Sequence, residues 1–264
     1  MEAAQEFDYI VIGAGSGGMG SGRRAALHGK KVAMLENRVI GGTCVNVGCV
    51  PKKVMLNLAS YLEEASLFKD YGVNGTEGLS LDFPAFKIQR DAYVKKLNGI
   101  YERNVGNAGI GYFTGTASFQ DAKTIVTSEG ATLTAPHIMI CSGSTPHTPA
   151  FDGAEHCWSS DDLFTMEELP KSMVVLGGGY IGVEMAQIMH AFGVKTTLLV
   201  RNKMLTGHCD QELIPVLQTC MEKLGMECRL GTPFTKVEKL ENGMYRVHLK
   251  DGGHVDAERV LAAL

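Results

Sequence analysis

The chain carries one tryptophan and 8 prolines among its 264 residues, and aromatic side chains make up only 7% of it. Basic charge is not in excess: 25 Lys and Arg stand against 29 Asp and Glu, a formal net charge of -4. That balance leaves no electrostatic footprint for nucleic acid, so no such partner is expected. No apolar run approaches the 18 or so residues that span a bilayer, and no membrane partner is expected. The stretch from Met1 to Asp8 is acidic and runs into an apolar segment with no basic region before it, which is not a secretory pattern. The 7 cysteines are odd in number and scattered through a chain too large to need disulfide staples. A reducing compartment follows, with the cytosol expected and an organelle copy as the alternative. Cys141, Cys157, Cys209, Cys220 and Cys228 form no close metal-binding spacing, so no metal is expected.

What is present is an ordinary core composition, 45% hydrophobic and 20% charged, and a high count of 32 glycines. The length allows one large domain or two ordinary ones. Glycine is too irregularly placed for a fibrous repeat, so the excess marks backbone approaching a ligand. Phe7 to Ile12 reads as a strand, a glycine turn follows, Arg23 to His28 reads as helix and Lys31 to Leu35 as a second strand. This βαβ pattern recurs as Ser172–Leu176, Gly177–Gly182, Val183–Phe192 and Thr196–Val200. Between the two lie helical stretches over 51–68 and 83–107 and short strands over 111–140. After a helix over 210–224, short strands follow at 227–230, 235–240, 245–249 and 259–261. The fold class expected is α/β, two Rossmann-like dinucleotide-binding domains in series over 1–150 and 151–264.

The first glycine fingerprint is Gly13, Gly15 and Gly18. The first glycine permits a tight turn, the second lets a pyrophosphate approach the backbone, and the third lets helix and strand pack closely. Glu36, about 20 residues on and ending the second strand, stands where a carboxylate binds ribose hydroxyls. The second fingerprint is Gly177, Gly179 and Gly182, and its second strand ends in Val200-Arg201 instead of an acid. A guanidinium there suits a 2′-phosphate, so NADP is expected over NAD, with Lys203 and His208 adding charge.

Cys44 and Cys49, in GGTCVNVGCVPKK, precede Pro51, a first-turn helix residue. On a regular helix five positions are about 140° apart, so the sulfurs meet only in a loop or a distorted first turn. The helix dipole and Lys52 and Lys53 are expected to stabilise a thiolate there, as disulfide exchange requires. A zinc site and a pair of inert buried thiols are the competing readings.

A dinucleotide site, a C-x4-C pair and a second dinucleotide site, in this order, resemble the flavoprotein disulfide reductases and, within them, the glutathione reductases. The resemblance implies FAD and NADPH as cofactors, glutathione disulfide as substrate and a homodimer for the full-length protein. It implies that Cys49 lies against the flavin and that Cys44 is the interchange thiol. Lys52 and Glu184 would pair near the flavin, Tyr180 would cover it until nicotinamide arrives, and Ser16, Gly17 and Thr43 would join the flavin-binding set. Ser16, Arg23, Tyr93 and Tyr101 match positions that contact the tripeptide. The departures are Cys141-Ser142-Gly143 at a flavin-contacting A-T-G, Gly182 where alanine is frequent, and no second arginine near Thr206-Gly207-His208. The resemblance also implies a C-terminal shortening, the missing part carrying the acid–base His–Glu pair. A catalytically incomplete nucleotide-binding protein, or a related reductase such as a dihydrolipoamide dehydrogenase, is the alternative.

Overall fold

The computed structural model describes residues 4–65, 67–76, 78–147, 149–204 and 209–264. Strands β1 (Gln5–Glu6) and β2 (Tyr9–Ile12) lead through helix α1 (Ser16–Leu27) to β3 (Val32–Glu36). Helices α2 (Gly42–Asn46), α3 (Cys49–Ala65) and α4 (Phe83–Asn107) follow, then β4 (Gly111–Thr114), β5 (Ala117–Phe119), β6 (Thr124–Thr127), β7 (Thr132–Thr134) and β8 (His137–Ile140). The second half runs α5 (Ser160–Thr165), β9 (Ser172–Leu176), α6 (Tyr180–Ala191), β10 (Lys195–Val200) and α7 (Leu213–Lys223). It ends with β11 (Glu227–Leu230), β12 (Phe234–Lys239), β13 (Tyr245–Leu249), β14 (His254–Ala257) and β15 (Arg259–Ala262). The chain falls into two compact units, Met1–Lys53 with Ile88–Thr145 and Val54–Lys87 with Pro146–Leu264.

In the first unit a parallel sheet is ordered β4-β3-β2-β8. Ile10, Val11, Met34 and Leu35 are all but fully buried at its centre. Parallel strands covered on both faces read as continuous apolar runs, which is why YIVI and VAMLE carry no alternation. Each such side chain contributes about 1.5–3 kcal/mol by leaving water. Register places Ile12 opposite Leu35 and Ile140, so Gly13, Glu36 and Cys141 emerge together at one edge of the sheet. An antiparallel meander of β5, β6 and β7 carries β1 along its outer side.

The second unit repeats this plan. Its parallel sheet is ordered β11-β10-β9-β15, and an antiparallel β12-β13-β14 sheet precedes the last strand. Leu176 lies opposite Leu199 and Ala262, so Gly177 and Ala263 emerge at the corresponding edge, just beside Val200-Arg201. Phe83, Phe86 and Phe192 form an aromatic cluster with centroids 5.8–6.2 Å apart.

The structure differs from the sequence reading at several ends. Helix α1 starts at Ser16, seven residues before the expected Arg23, because its glycines pack against the sheet. Helix α3 starts at Cys49 and ends at Ala65, and α4 matches its expected span of Phe83–Asn107. The sequence reading places no strand at β1 or β14 and no helix at α2 or α5; a capping box, in which Ser159 and Asp162 answer each other, starts α5. Among the described residues no helix is long and apolar enough to cross a membrane, and no group of three or more His, Cys, Asp or Glu could hold a metal ion.

Candidate active site

The first fingerprint is built by contacts that exclude side chains. Gly13 has φ +105°, and a Cβ there would stand 2.3 Å from the Cys141 carbonyl oxygen. A Cβ on Gly18 would stand 1.8 Å from the Gly13 oxygen, so the third glycine closes α1 onto the turn. The turn is pinned by Gly13 N–H donating to Leu35 O at 2.8 Å and Cys141 N–H donating to Ile12 O at 2.7 Å. Glu36 takes the Ala14 N–H on Oε2 at 2.9 Å, and the N–H groups of Asn37 and Arg38 on Oε1 at 3.0 and 2.9 Å. With roughly two acceptor positions per carboxylate oxygen, Oε2 keeps one open. A glycine turn with no room for side chains and an oriented carboxylate with one vacant acceptor fit a dinucleotide with ribose hydroxyls.

The redox loop is joined to this turn. Gly41 N–H donates to Ala14 O at 2.9 Å, and a Cβ on Gly42 (φ +61°) would stand 2.7 Å from Gly15 Cα. Two helix N-termini, those of α1 and α2, therefore meet through bare backbone. Cys44 lies in α2, and Cys49 opens α3 after a break at Val47 (φ −140°) and Gly48. A Cβ on Gly48 would approach Thr43 O to 2.8 Å, so the break needs glycine. It removes the 140° obstacle: the Cys44 thiol interacts with the Cys49 thiol and with the Ser16 hydroxyl.

Cys44 is half-buried and Cys49 exposed. Burial first, then the hydrogen bond and charge of Cys49, push the Cys44 thiol above its ordinary value. The Ser16 hydroxyl and the Cys49 backbone pull the other way without prevailing. The expected thiolate stabilisation is thus outweighed at Cys44, since burial and a like-charged neighbour both disfavour ionisation. Cys157, pushed to about 12, and Cys228, pushed to about 11, stay thiols at neutral pH through burial and nearby carboxylates.

The second fingerprint reproduces the first at its first and third glycines. A Cβ on Gly177 (φ +117°) would stand 2.2 Å from Ala263 O, and one on Gly182 would stand 2.2 Å from Gly177 O. Gly177 N–H donates to Leu199 O at 3.0 Å and Ala263 N–H to Leu176 O at 2.8 Å. Gly179 has nothing within 4 Å of where its Cβ would be, leaving the backbone approachable by a ligand. Arg201 is exposed just past β10, with Lys203 following, while His208 lies outside the described residues. An open turn beside a guanidinium fits a phosphorylated nucleotide.

These features can be set against known proteins. A family model described as pyridine nucleotide-disulphide oxidoreductase matches residues 7–264. This chain belongs to the pyridine nucleotide-disulphide oxidoreductase family. Glutathione reductase of Schizosaccharomyces pombe is 38% identical over 98% of this chain and 57% of its own length. Glutathione reductase of Yarrowia lipolytica is 39% identical over 97% of this chain and 57% of its own length. The chain thus spans little more than half of these curated relatives. A Cu(II) complex of a cysteine-to-serine mutant of the HOCl-induced flavoprotein disulfide reductase of Escherichia coli superposes with a TM-score of 0.85. That structure is 24% identical and is matched over 98% of this chain and 56% of its own chain.

The remaining expected residues of this oxidoreductase chain are placed as follows. Ser16 and Arg23 are exposed on α1, seven residues apart and therefore close to one face. Tyr93 is 47% exposed on α4, while Tyr101 on the same helix packs against the core around Val11, Met34 and Val105. Thr43 is exposed on α2 and Gly17 on α1; Lys52 is half-buried in α3. In the second unit Tyr180 is 64% exposed at the start of α6, and Glu184 is half-buried one turn later.

Two residues that shape the redox loop carry no motif of their own. Asn46 donates from Nδ2 to Gly42 O at 2.9 Å, and Asn98 Nδ2 donates to Ile40 O at 2.8 Å and Asn46 Oδ1 at 3.0 Å. This amide pair ties the loop between the cysteines to α4. A polar amide inside the otherwise apolar CVNVGC was the available signal.

Proposed function

We propose that this chain forms the nucleotide-binding part of an NADPH-dependent, FAD-containing reductase of glutathione disulfide. Residues 1–150 would act as the FAD domain and 151–264 as the NADPH domain. The observation that carries the reading is the meeting of two thiols, Cys44 and Cys49, on a loop joined through Gly15 and Gly42 to a dinucleotide turn. The naming of the curated relatives supports the substrate assignment.

Gly13, Gly15, Ser16, Gly17, Gly18, Glu36, Thr43, Cys44 and Lys52 would hold FAD, and Gly177, Gly179, Tyr180, Gly182, Glu184 and Arg201 would serve NADPH and the flavin edge. Bound flavin supplies a two-electron relay between nicotinamide and disulfide. Lys52 would favour a reduced, anionic ring through its charge. Arg23 presents a cation to the carboxylates of the peptide, with Ser16, Tyr93 and Tyr101 orienting it. Cys44, losing its proton, attacks one sulfur of glutathione disulfide; the S–S bond breaks, a Cys44–glutathione disulfide forms and glutathione leaves carrying a proton. Cys49, deprotonated, then attacks Cys44 Sγ, expels the second glutathione and leaves Cys44–Cys49 oxidised. The cytosol is the proposed location and a homodimer the proposed assembly of the full-length protein.

The test is to purify the chain, record its visible spectrum, and add NADPH and glutathione disulfide. A yellow protein that consumes NADPH supports the reading. A colourless, inert one favours the alternative of a catalytically incomplete nucleotide-binding chain. In the full-length protein Cys44→Ser should abolish glutathione formation and spare reduction of the flavin by NADPH. Retained glutathione formation would overturn Cys44 as the interchange thiol.

A further inference from the structure

A cavity in the first unit, about 550 Å³, opens at the opposite edge of the parallel sheet from the glycine turn. The second half of α1 lines one side with Ser21, Arg24 and His28; Lys30 follows the helix, and His137 opens β8 across the gap. Ser21, Arg24 and His28 recur at helical spacing, so one stripe of α1 faces the cavity with polar groups. Tyr9, at the first position of β2, also lines it. From Tyr9 to Ile12 at the glycine turn is three strand steps, about 10 Å, so the two sites sit at opposite ends of one strand.

The polar floor is already satisfied. Tyr9 donates its hydroxyl proton to Met139 Sδ at 2.8 Å and takes that of Ser21 at 2.6 Å. Near the end of α1, Ala25 O and Ala26 O receive the N–H groups of His28, Gly29 and Lys30 at 2.9–3.2 Å. What remains to meet a ligand is a set of donors, the Arg24 guanidinium, the Lys30 ammonium and the His28 and His137 rings. The one acid in the lining, Asp8, has Oδ2 engaged by the Lys31 N–H at 2.8 Å. Two permanent cations against one acid, with two imidazoles added, match a doubly charged anion. Arginine suits tetrahedral oxyanions through paired N–H donors. The Tyr9 ring, Ala25 and Pro136 add apolar wall for an organic portion.

We propose that this cavity binds a small phosphate-bearing anion, a phosphomonoester in class, at a site separate from both dinucleotide turns. The proposal does not depend on the redox reading.

The test uses the whole chain with inorganic phosphate as probe, followed by NMR of the His28 and His137 rings and of the Gly13 and Gly177 amides. The expected result is a saturable shift of both rings, with apparent affinity falling about tenfold or more in Arg24→Ala and in Lys30→Ala. Both side chains are exposed, so the fold tolerates their loss, and the Gly13 and Gly177 responses report its integrity. The proposal is overturned if the rings stay unmoved on adding phosphate, whether or not the glycine amides shift. It is equally overturned if potassium chloride at matched ionic strength reproduces the shifts, or if neither substitution weakens them.

Discussion

The two units are the same machine built twice with different neighbours. Each has a first glycine whose missing Cβ clears the carbonyl that follows the last strand, Cys141 in one and Ala263 in the other. Each has a third glycine packed on the oxygen of the first. They diverge at the second glycine: Gly15 meets Gly42 of the redox loop, whereas Gly179 meets nothing. They diverge again at the end of the second strand, where Glu36 is held by three backbone N–H groups and Arg201 stands exposed. Shared steric rules thus make the phosphate turn, and the surroundings decide whether a thiol pair or open solvent lies beside it.

The largest effect is expected where the shared rule is tightest. Gly18→Ala forces a methyl to 1.8 Å from a backbone oxygen, and Gly182→Ala forces one to 2.2 Å. Backbone cannot rotate away as a side chain can, so both should destabilise, Gly18→Ala by about 3 kcal/mol or more and Gly182→Ala by less. Urea unfolding of the two variants checks the order. A reversed order would mean that the turns are not sterically equivalent.

The second contrast is sharper in kind. Gly42→Ala places Cβ at 2.7 Å from Gly15 Cα and adds strain at φ +61°, so it should part the redox loop from the turn and suppress disulfide reduction. Gly179→Ala has φ −72° and open space. It should leave the melting temperature unchanged and weaken NADPH binding about tenfold, because only the ligand meets the methyl. Calorimetric melting and an NADPH titration separate the two outcomes. A stability loss in Gly179→Ala would remove the distinction between the units.

Much of this was legible in the sequence, for stated physical reasons. Both βαβ units could be read because strand runs and glycine spacing are local signals. The start of α1 could not, since Ser16 to Gly22 is glycine-rich and intrinsically a poor helix former. Tertiary packing overrides that preference, as at Gly22, where a Cβ would come within 2.7 Å of Met34 Cε. The cysteine pair was legible as chemistry but not as geometry: the helical-wheel separation ends at Gly48, whose role is visible only against Thr43 O. Burial of Cys44 is likewise a property of the folded chain, so the direction of its titration was misjudged from lysines and helix dipole alone. Strand β14 is a four-residue run with no signal beyond its pairing to β13.

A third, smaller effect follows from the weld between turn and loop. Ser16 pulls the Cys44 thiol down against burial, so Ser16→Ala should raise it further. A smaller thiolate fraction at a given pH means slower reaction. Iodoacetamide labelling of Cys44 across pH should show its midpoint displaced upward and its rate at neutral pH reduced by about threefold. An unchanged profile would show that Ser16 serves ligands alone.

The smallest effect concerns the antiparallel insertion before the last strand of each unit. In the first unit it is held by apolar burial: Ile125 and Leu133 are fully buried and face each other across β6 and β7. In the second, Val237, Val247 and Val255 share a row, and the alternate row pairs Glu238 with Arg246 and Arg246 with Asp256. Arg246 bonds both Asp256 oxygens at 2.7 Å. That hydrogen bond, with the guanidinium charge, holds the Asp256 carboxyl below its usual range although partial burial opposes it. Because the folded value lies below the unfolded one, the stabilisation is fully present above the ordinary aspartate range and fades as pH falls through the depressed value. Both groups are solvent-accessible, so screening keeps the contribution small. Asp256→Asn should lower the melting temperature by about 2 °C or less at neutral pH. Once pH has fallen through the depressed value the variant and the parent should converge, since the parent carboxyl is then protonated too. A thermal-melt series over pH checks this, and a gap that persists in acid would assign the residue a role in packing rather than charge. In the first unit's insertion the turn itself holds a carboxyl down, Asp121 through the Lys123 N–H at 2.8 Å, whereas in the second a cross-strand guanidinium does so, and that is how the two copies differ in acid.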